Sequence, residues 1–573
     1  MKHEQGGLIG VRTGGRLFVD SLIRNGVDFM TCVPGESFLP ILDALYDVTG
    51  TGTGPRLVTT RHEAAAANMA EAAGKLTGRV AACLVTRGPG AMHASIAVHT
   101  AYQDGTPMLL VVGQVARATR GREAFQEMDY SAVFGTTAKS VVEISDVDRI
   151  PEHVARAVYL ATSGRPGPVV LAVPEDVLSD MSDAEPIPAP VAEPVPPAAG
   201  AADRLVAALA AAERPLLIVG GPKWSQETGE HVRAFAERNT IPVAAAFRCQ
   251  DAVDNRSGAY VGYLGLGGSP ELRSAALEAD LIVALGPRLD DPTTDGFALT
   301  ERPVPGRRVI TVSDDPDEAC RALIPDGVLV CSLEPLARLL SERSAEPPAG
   351  RDKWLRALRA SHERFSEPPA PGGGVDLARI VRHVRSVLPD DAVVTNGAGN
   401  YTVWLQRFFE FRRHGTQIAP HNGAMGYGFP AALAVSAVRP EAPVVAFAGD
   451  GCFLMSGSEL ATAVQEQLDL VVIVVNNRML GTIRMHQERH YPGRVIATDL
   501  RNPDFAQYAR SFGAPAWVVE ETGQFADAFA AARAHPGPAV VEIRTDPAQI
   551  TPDRRLEAPG AERDGRAAGW GAQ

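Results

Sequence analysis

Cysteine is scarce in this chain and never paired. The six cysteines (Cys32, Cys83, Cys249, Cys320, Cys331 and Cys452) show no paired spacing. That excludes a disulfide framework or a structural zinc site and points to a reducing compartment. No apolar run is long enough to span a bilayer, and Met1 to Gly14 is polar with no apolar centre. Neither a signal peptide nor a membrane partner is therefore expected, and a cytoplasmic protein is. Basic blocks are absent as well. Asp and Glu outnumber Lys and Arg 68 to 55, for a net charge of −13, so nucleic acid is not an expected partner. No Gly-x-Gly-x-x-Gly follows the first predicted strand, where Val33-Pro34-Gly35-Glu36 stands. This removes the usual signal of a nucleotide- or flavin-dependent oxidoreductase. A short-period repeat is lacking too.

What the chain does have is length, at 573 residues, and 45% hydrophobic content. One core cannot serve such a chain, and several domains are expected. Apolar strand-like runs alternate with helical periodicities. Phe29 to Val33, Leu57 to Thr60, Val80 to Val85, Met108 to Val112 and Pro168 to Val173 form a first set, with a polar loop before the last. Leu216 to Val219, Leu281 to Leu285 and Val309 to Val312 form a second. Ala392 to Thr395, Val444 to Ala448, Leu470 to Val475 and Ala539 to Arg544 form a third. Such alternation predicts an α/β protein of three doubly wound parallel-sheet domains. Pro- and Ala-rich stretches set the boundaries. The first domain runs over 1–180, a linker over 181–200 and the central domain over 201–345. A second linker, with a helix around Trp354 to Arg359, covers 346–374; the third domain covers 375–550 and a polar tail 551–573.

The most informative stretch runs from Gly449 to Asn477. Gly449-Asp450-Gly451-Cys452 follows one predicted strand, and Asn476-Asn477 closes the next. Asp450 and Asn477 are 27 residues apart, the length of a strand-helix-strand crossover, so both emerge at the carboxyl edge of one sheet, where open α/β sheets bind ligands. A carboxylate, an amide oxygen and a nearby backbone carbonyl make a hard oxygen shell that suits Mg²⁺ when phosphate completes it. Gly451 lets backbone approach a diphosphate, and a helix expected to open near Met455 would aim its dipole there.

Gly449-Asp450-Gly451 with Asn476-Asn477 resembles the diphosphate-anchoring motif of thiamine diphosphate enzymes, and the likeness extends over nearly the whole chain. It implies a pyrimidine-binding, a central and a diphosphate-binding domain. It also implies that Asp450, Asn477 and the Met479 carbonyl hold Mg²⁺, and that Glu63, within Arg61-His62-Glu63-Ala64-Ala65-Ala66, activates the aminopyrimidine from a site among alanines. Asn396-Gly397-Ala398-Gly399-Asn400-Tyr401 is similar to a phosphate cradle. His421-Asn422-Gly423-Ala424-Met425-Gly426 is similar to the segment that sets an apolar residue, here Met425, between the cofactor rings, with the Gly423 carbonyl taking the amino proton. Cys452 and Gly481 complete the implied cofactor contacts.

Within the superfamily the chain is most similar to acetohydroxyacid synthases. Phe125-Gln126-Glu127 matches their Phe-Gln-Glu, while the histidine pair of pyruvate decarboxylases is absent there. The resemblance implies decarboxylation of a 2-oxoacid and addition of the resulting enamine to a second carbonyl compound, with simple decarboxylase or acyl-CoA lyase activity as the alternative. Gln126 and Glu36 would steer protons, and Gly35, Phe125 and His486 would line the substrate pocket. Three departures stand out: His486 replaces a tryptophan, Glu175 replaces a lysine, and Glu36 stands where the synthases have glycine. A pocket rebuilt for a more polar second substrate is expected. Gly262 to Gly268 and Gly286 to Asp291 resemble flavin-contacting loops, but an empty central domain fits as well, so FAD is left open. A homodimer is the implied minimum and a homotetramer the expected assembly.

Overall fold

The computed structural model describes residues 10–49, 54–300, 306–369 and 374–556. The end of the expected tail and part of the second expected linker lie outside the described residues. The chain divides into two compact units, 1–192 and 193–573.

The first unit is built on six parallel strands: β1 (Phe29–Cys32), β2 (Arg56–Thr59), β3 (Ala81–Val85), β4 (Met108–Gln114), β5 (Ser140–Glu143) and β6 (Pro168–Pro174). They are ordered β2-β1-β3-β4-β6-β5. Strands β4 and β6 are buried at every position, as helices on both faces of the sheet require. Each fully buried Val or Leu contributes about 1.5–3 kcal/mol. Helix α1 (Glu63–Thr77) is capped by the His62 side chain, which accepts from the Ala64 amide, and ends at left-handed Gly78. Helix α2 (Pro89–Asp104) opens with Pro89 in its first turn and ends at left-handed Gly105. The expected polar loop before the last strand is ordered instead. It carries β5 and the helix Ile150–Thr162, whose apolar face packs into the core.

The second unit holds two more parallel sheets. The first comprises β7 (Pro215–Val219), β8 (Val243–Ala245), β9 (Tyr260–Tyr263), β10 (Leu281–Leu285), β11 (Arg308–Ser313) and β12 (Gly327–Val330). Their order, β9-β8-β7-β10-β11-β12, is that of dinucleotide-binding sheets. The other comprises β13 (Val393–Asn396), β14 (Gln417–Ile418), β15 (Val444–Gly449), β16 (Leu470–Asn476), β17 (Ala516–Val519) and β18 (Pro538–Arg544). Its order, β14-β13-β15-β16-β18-β17, repeats that of the first unit. Buried polar groups join the two sheets. Gln250 and Gln417 exchange two hydrogen bonds at 2.7 and 2.8 Å, and the Asp251 carboxylate accepts from the amides of Gly415, Thr416 and Gln417. Within the second linker region, helix α3 (Arg351–Ser366) docks on the central sheet. The buried Arg351 guanidinium donates to the Leu209, Ala210 and Ala212 carbonyls, and Trp354 Nε1 to Pro215 O at 3.2 Å.

Candidate functional site

At the carboxyl edge of the first sheet, every loop carries chemistry. After β2, Glu63 opens α1, where the helix dipole favours an acid. Its carboxylate meets His93 Nδ1 at 2.9 Å, and the His93 ring stacks on His62 with centroids 4.6 Å apart. The expected alanine surroundings are thus replaced by a histidine partner from α2, which nothing in the sequence had marked. After β3, Arg87 is nearly buried and spends its guanidinium three ways. Nη2 meets Glu36 at 2.7 Å, Nη1 meets Glu175 at 3.2 Å, and Nε donates to the Phe125 carbonyl at 3.2 Å. Glu36 and Glu175, read separately in the sequence as departures, therefore share one arginine.

The Phe125-Gln126 loop is shaped by Glu127. Its carboxylate accepts from the Gly121 and Ala124 amides at 2.7 and 3.0 Å and pairs with Arg120. Those bonds, the Gly121 amide foremost, hold the Glu127 carboxyl below its usual range. Gln126 adopts φ +64° and its carbonyl lies against Gly88, where an added Cβ would come within 2.8 Å. Phe125 is left 74% exposed. Gly35 is pinned by space: a Cβ there would lie 2.6 Å from that of Thr86.

In the second unit, the strand order of the last sheet reverses between β13 and β15, the place where such sheets bind ligands. Asp450 follows β15 and itself opens helix α5 (Asp450–Leu454). The helix therefore starts earlier than Met455, because Gly449 in extended conformation already completes the turn. Asp450 is 2% exposed and takes hydrogen bonds from neutral donors: Gly451 N at 2.9 Å, Arg478 N at 2.8 Å and Asn502 Nδ2 at 2.7 Å. Burial raises its pKa against those bonds. Arg478, at φ +57°, lies between Asn477 and Met479, so its bond to Asp450 brings that turn onto the carboxylate.

Asn477 Oδ1 accepts from the Met479 amide at 3.1 Å. Met479 faces Asp499 in an antiparallel bridge whose bonds run from Leu480 N to Thr498 O and from Leu500 N to Arg478 O, so neither uses the Met479 carbonyl. Asn502, unmarked in the sequence, ties Asp450 to Asn476 Oδ1 at 2.9 Å.

Around this corner the chain is stripped of side chains. A Cβ on Gly449 would lie 3.1 Å from the Tyr401 ring, and one on Gly397 2.6 Å from Cys452 Sγ. Gly399 adopts φ +135°. One on Gly451 would meet Leu480 at 3.0 Å, Leu500 at 3.2 Å and Met425 Cε at 3.8 Å. Cys452 Sγ accepts from Gly426 N at 3.1 Å and from the Tyr401 hydroxyl, which itself accepts from Gly397 N at 3.0 Å. This draws together the Gly397, Gly426 and Cys452 segments. The start of helix α4 (Tyr401–Phe408) meets helix α6 (Gly481–His490) where Asn400 Oδ1 accepts from the Thr482 hydroxyl at 2.8 Å. Gly481 is held small by Asn477 Nδ2, 3.1 Å from an added Cβ. Gly423 is exposed at φ +70°. His486, on α6, stacks on His490 with centroids 5.9 Å apart, and burial, then His490 and Arg489, lower its pKa. From the central sheet, Arg248 donates to Gly397 O at 3.0 Å and to Pro420 O, bracing two of these loops.

Comparison with known proteins agrees with this geometry. Residues 12–133 match the thiamine pyrophosphate enzyme N-terminal TPP binding domain, 202–340 the central domain, and 397–543 the C-terminal TPP binding domain. The chain belongs to the thiamine pyrophosphate enzymes. Along nearly its full length this thiamine pyrophosphate enzyme is similar to acetolactate synthase large subunits. It is 34% identical to that of Parasynechococcus marenigrum over 93% of this chain and 87% of that protein. It is 31% identical to that of Haemophilus influenzae over 87% and 88%. With the Escherichia coli isozyme 3 large subunit it shares 31% identity, again over 87% and 88%.

The residues present fit the family's cofactor. The glycine corner would be filled by any Cβ, the buried Asp450 has no ion pair among the described residues, and Asn396 Oδ1, at the end of β13, is buried without a partner. Carboxylate, amide and carbonyl oxygens converge on one turn, a donor set for a hard cation. For a flavin the fit is poorer despite the strand order of the central sheet. Gly267 packs on Val403 and Gly265 on Phe247, so the loop that resembles a flavin-contacting one is itself packed against side chains, and Gly221 lies against the Gly286 carbonyl.

Proposed function

We propose that the chain is a Mg²⁺- and thiamine diphosphate-dependent carboligase resembling acetolactate synthase. It would decarboxylate a 2-oxoacid and join the remaining fragment to a second carbonyl compound. The observation that carries this reading is the Asp450 corner, where a buried carboxylate with no ion pair among the described residues is wrapped by the Asn477 to Met479 turn inside a cradle of glycines. Asp450, Asn477 Oδ1 and the Met479 carbonyl would hold Mg²⁺ on the diphosphate. Backbone at Gly399, Asn400, Gly451 and Gly481 would approach the phosphates, with Tyr401 and Cys452 fixing those loops. Met425 would support the rings, and the Gly423 carbonyl would accept the amino proton. When bound, thiamine diphosphate supplies the electron sink that decarboxylation needs. Glu63 would hold and return a proton at its carboxylate, with His93 as the group that shares it. Gln126 and Glu36 would steer protons at the reacting carbonyl, and Gly35, Phe125 and His486 would shape the acceptor pocket.

This reading includes a homodimer as the minimal active form, a tetramer as the expected assembly, and a cytoplasmic location. No helix of the described residues is long and apolar enough to cross a membrane. Release of CO₂ from a panel of 2-oxoacids, with and without thiamine diphosphate and Mg²⁺, tests the first half of the reaction. Release that depends on both additions is expected; none with any 2-oxoacid would overturn it.

A further inference from the structure

Three arginines in the loops at the carboxyl edge of the first sheet are each engaged by a pair of carboxylates. Arg87, with a side chain 9% exposed, is bound by Glu36 and Glu175. Arg117 is bound by Asp176 and Asp180, and Arg120 by Glu127 and Glu143. Each group carries one positive and two negative charges, so these three guanidiniums are already matched and their groups hold a surplus of negative charge. Arg122 and Glu123, in the same loops, cancel. The group at Arg87 also grips the Phe125 carbonyl, which puts the surplus beside the loop assigned above to the acceptor pocket.

We infer that the Glu36–Arg87–Glu175 group selects an uncharged carbonyl compound as acceptor and disfavours a 2-oxoacid anion. This rests on the carboligase reading. In the balanced reaction the donor's C1–C2 bond breaks and its carboxylate leaves as CO₂. The released electron pair forms the new carbon–carbon bond to the acceptor carbonyl, whose oxygen takes up one proton. Repulsion felt by the donor's carboxylate is thus relieved by its own chemistry. An acceptor carboxylate keeps its charge through bond formation and pays the repulsion to the end. Specificity by placing an unfavourable charge against the wrong partner is a general device.

The test uses holoenzyme with thiamine diphosphate and Mg²⁺, pyruvate as donor, and 2-oxobutyrate competing with its neutral isostere 2-oxobutanamide. Wild type should favour the amide. Glu175→Gln should shift the product ratio toward the anion by about fivefold and Glu175→Lys by about twentyfold, the scale of one and two partly exposed charges. Raising ionic strength should narrow the wild-type preference. A ratio unchanged in both variants would overturn the inference. If wild type joins pyruvate to neither acceptor, the carboligase reading fails, and calorimetric binding to the holoenzyme decides this inference alone. Glu175→Lys should then tighten 2-oxobutyrate and leave 2-oxobutanamide unchanged, and equal effects on both would refute it.

Discussion

At the scale of residues, Asp450 carries a charge in a place that disfavours charge. Its hydrogen bonds come from an amide side chain and two backbone amides, and burial still pushes its carboxyl up. A folded-state pKa above the unfolded one adds stability only below the ordinary carboxylate range and withdraws it as pH rises through the folded value. In the cofactor-free protein burial disfavours the charged carboxylate, and a divalent cation at the proposed site would offset that cost. Thiamine diphosphate with Mg²⁺ at a hundredfold excess over the dissociation constant should stabilise the wild type by about 2.7 kcal/mol. In Asp450→Ala that stabilisation should vanish, as read by thermal melting with and without cofactor; an unchanged shift would remove Asp450 from the anchor. Glu63 makes a second test. Glu63→Gln keeps size and hydrogen bonding but cannot share a proton with His93. Cofactor binding should persist, while exchange of the cofactor's C2 hydrogen with deuterium slows roughly 10²-fold. Exchange at the wild-type rate, followed by proton NMR, would contradict the assignment.

At the scale of elements, helix α3 links acidity to folding. His362 packs half-buried against Tyr260, with ring centroids 5.2 Å apart, and desolvation, then Arg359 and Arg382, depress its pKa to about 4. A depressed histidine contributes stability above its unfolded pKa of 6.5 and loses it as pH falls toward 4. The loss over that window is on the order of 3 kcal/mol. His362→Phe should flatten the fall in denaturant midpoint between these pH values, and an unaltered slope would remove His362 as the cause. The same scale explains what could be read from sequence. Leu470 to Asn476 is buried at every position and reads as one apolar run. Ser140–Glu143 is only half buried at its sheet edge, and Gln417–Ile418 is two residues long, so neither carries such a run. The Asp450 and Asn477 corner was legible because both follow buried strands. His93, Asn502 and the joint grip of Arg87 on Glu36 and Glu175 were not, because each depends on loops far apart in the chain.

At the scale of the molecule, Glu63 and Asp450, proposed above to handle the proton and the metal, lie in different compact units of the chain. With the proposed dimer, each site would take Glu63 from one subunit and Asp450 from its partner. Glu63→Gln and Asp450→Ala should each be inactive alone. Refolding the two together should restore roughly a quarter of wild-type activity, since random pairing gives half mixed dimers with one intact site of two. No recovery in verified mixed dimers would contradict the shared site. The central claim is that this enzyme forms a carbon–carbon bond after decarboxylation. Carbon-13-labelled pyruvate, holoenzyme and a second carbonyl compound, followed by carbon NMR, measure it most directly. Most of the label is expected in a hydroxyketone or hydroxyketo acid coupled to the acceptor carbon; label recovered chiefly as free acetaldehyde across a broad acceptor panel would contradict carbon–carbon bond formation.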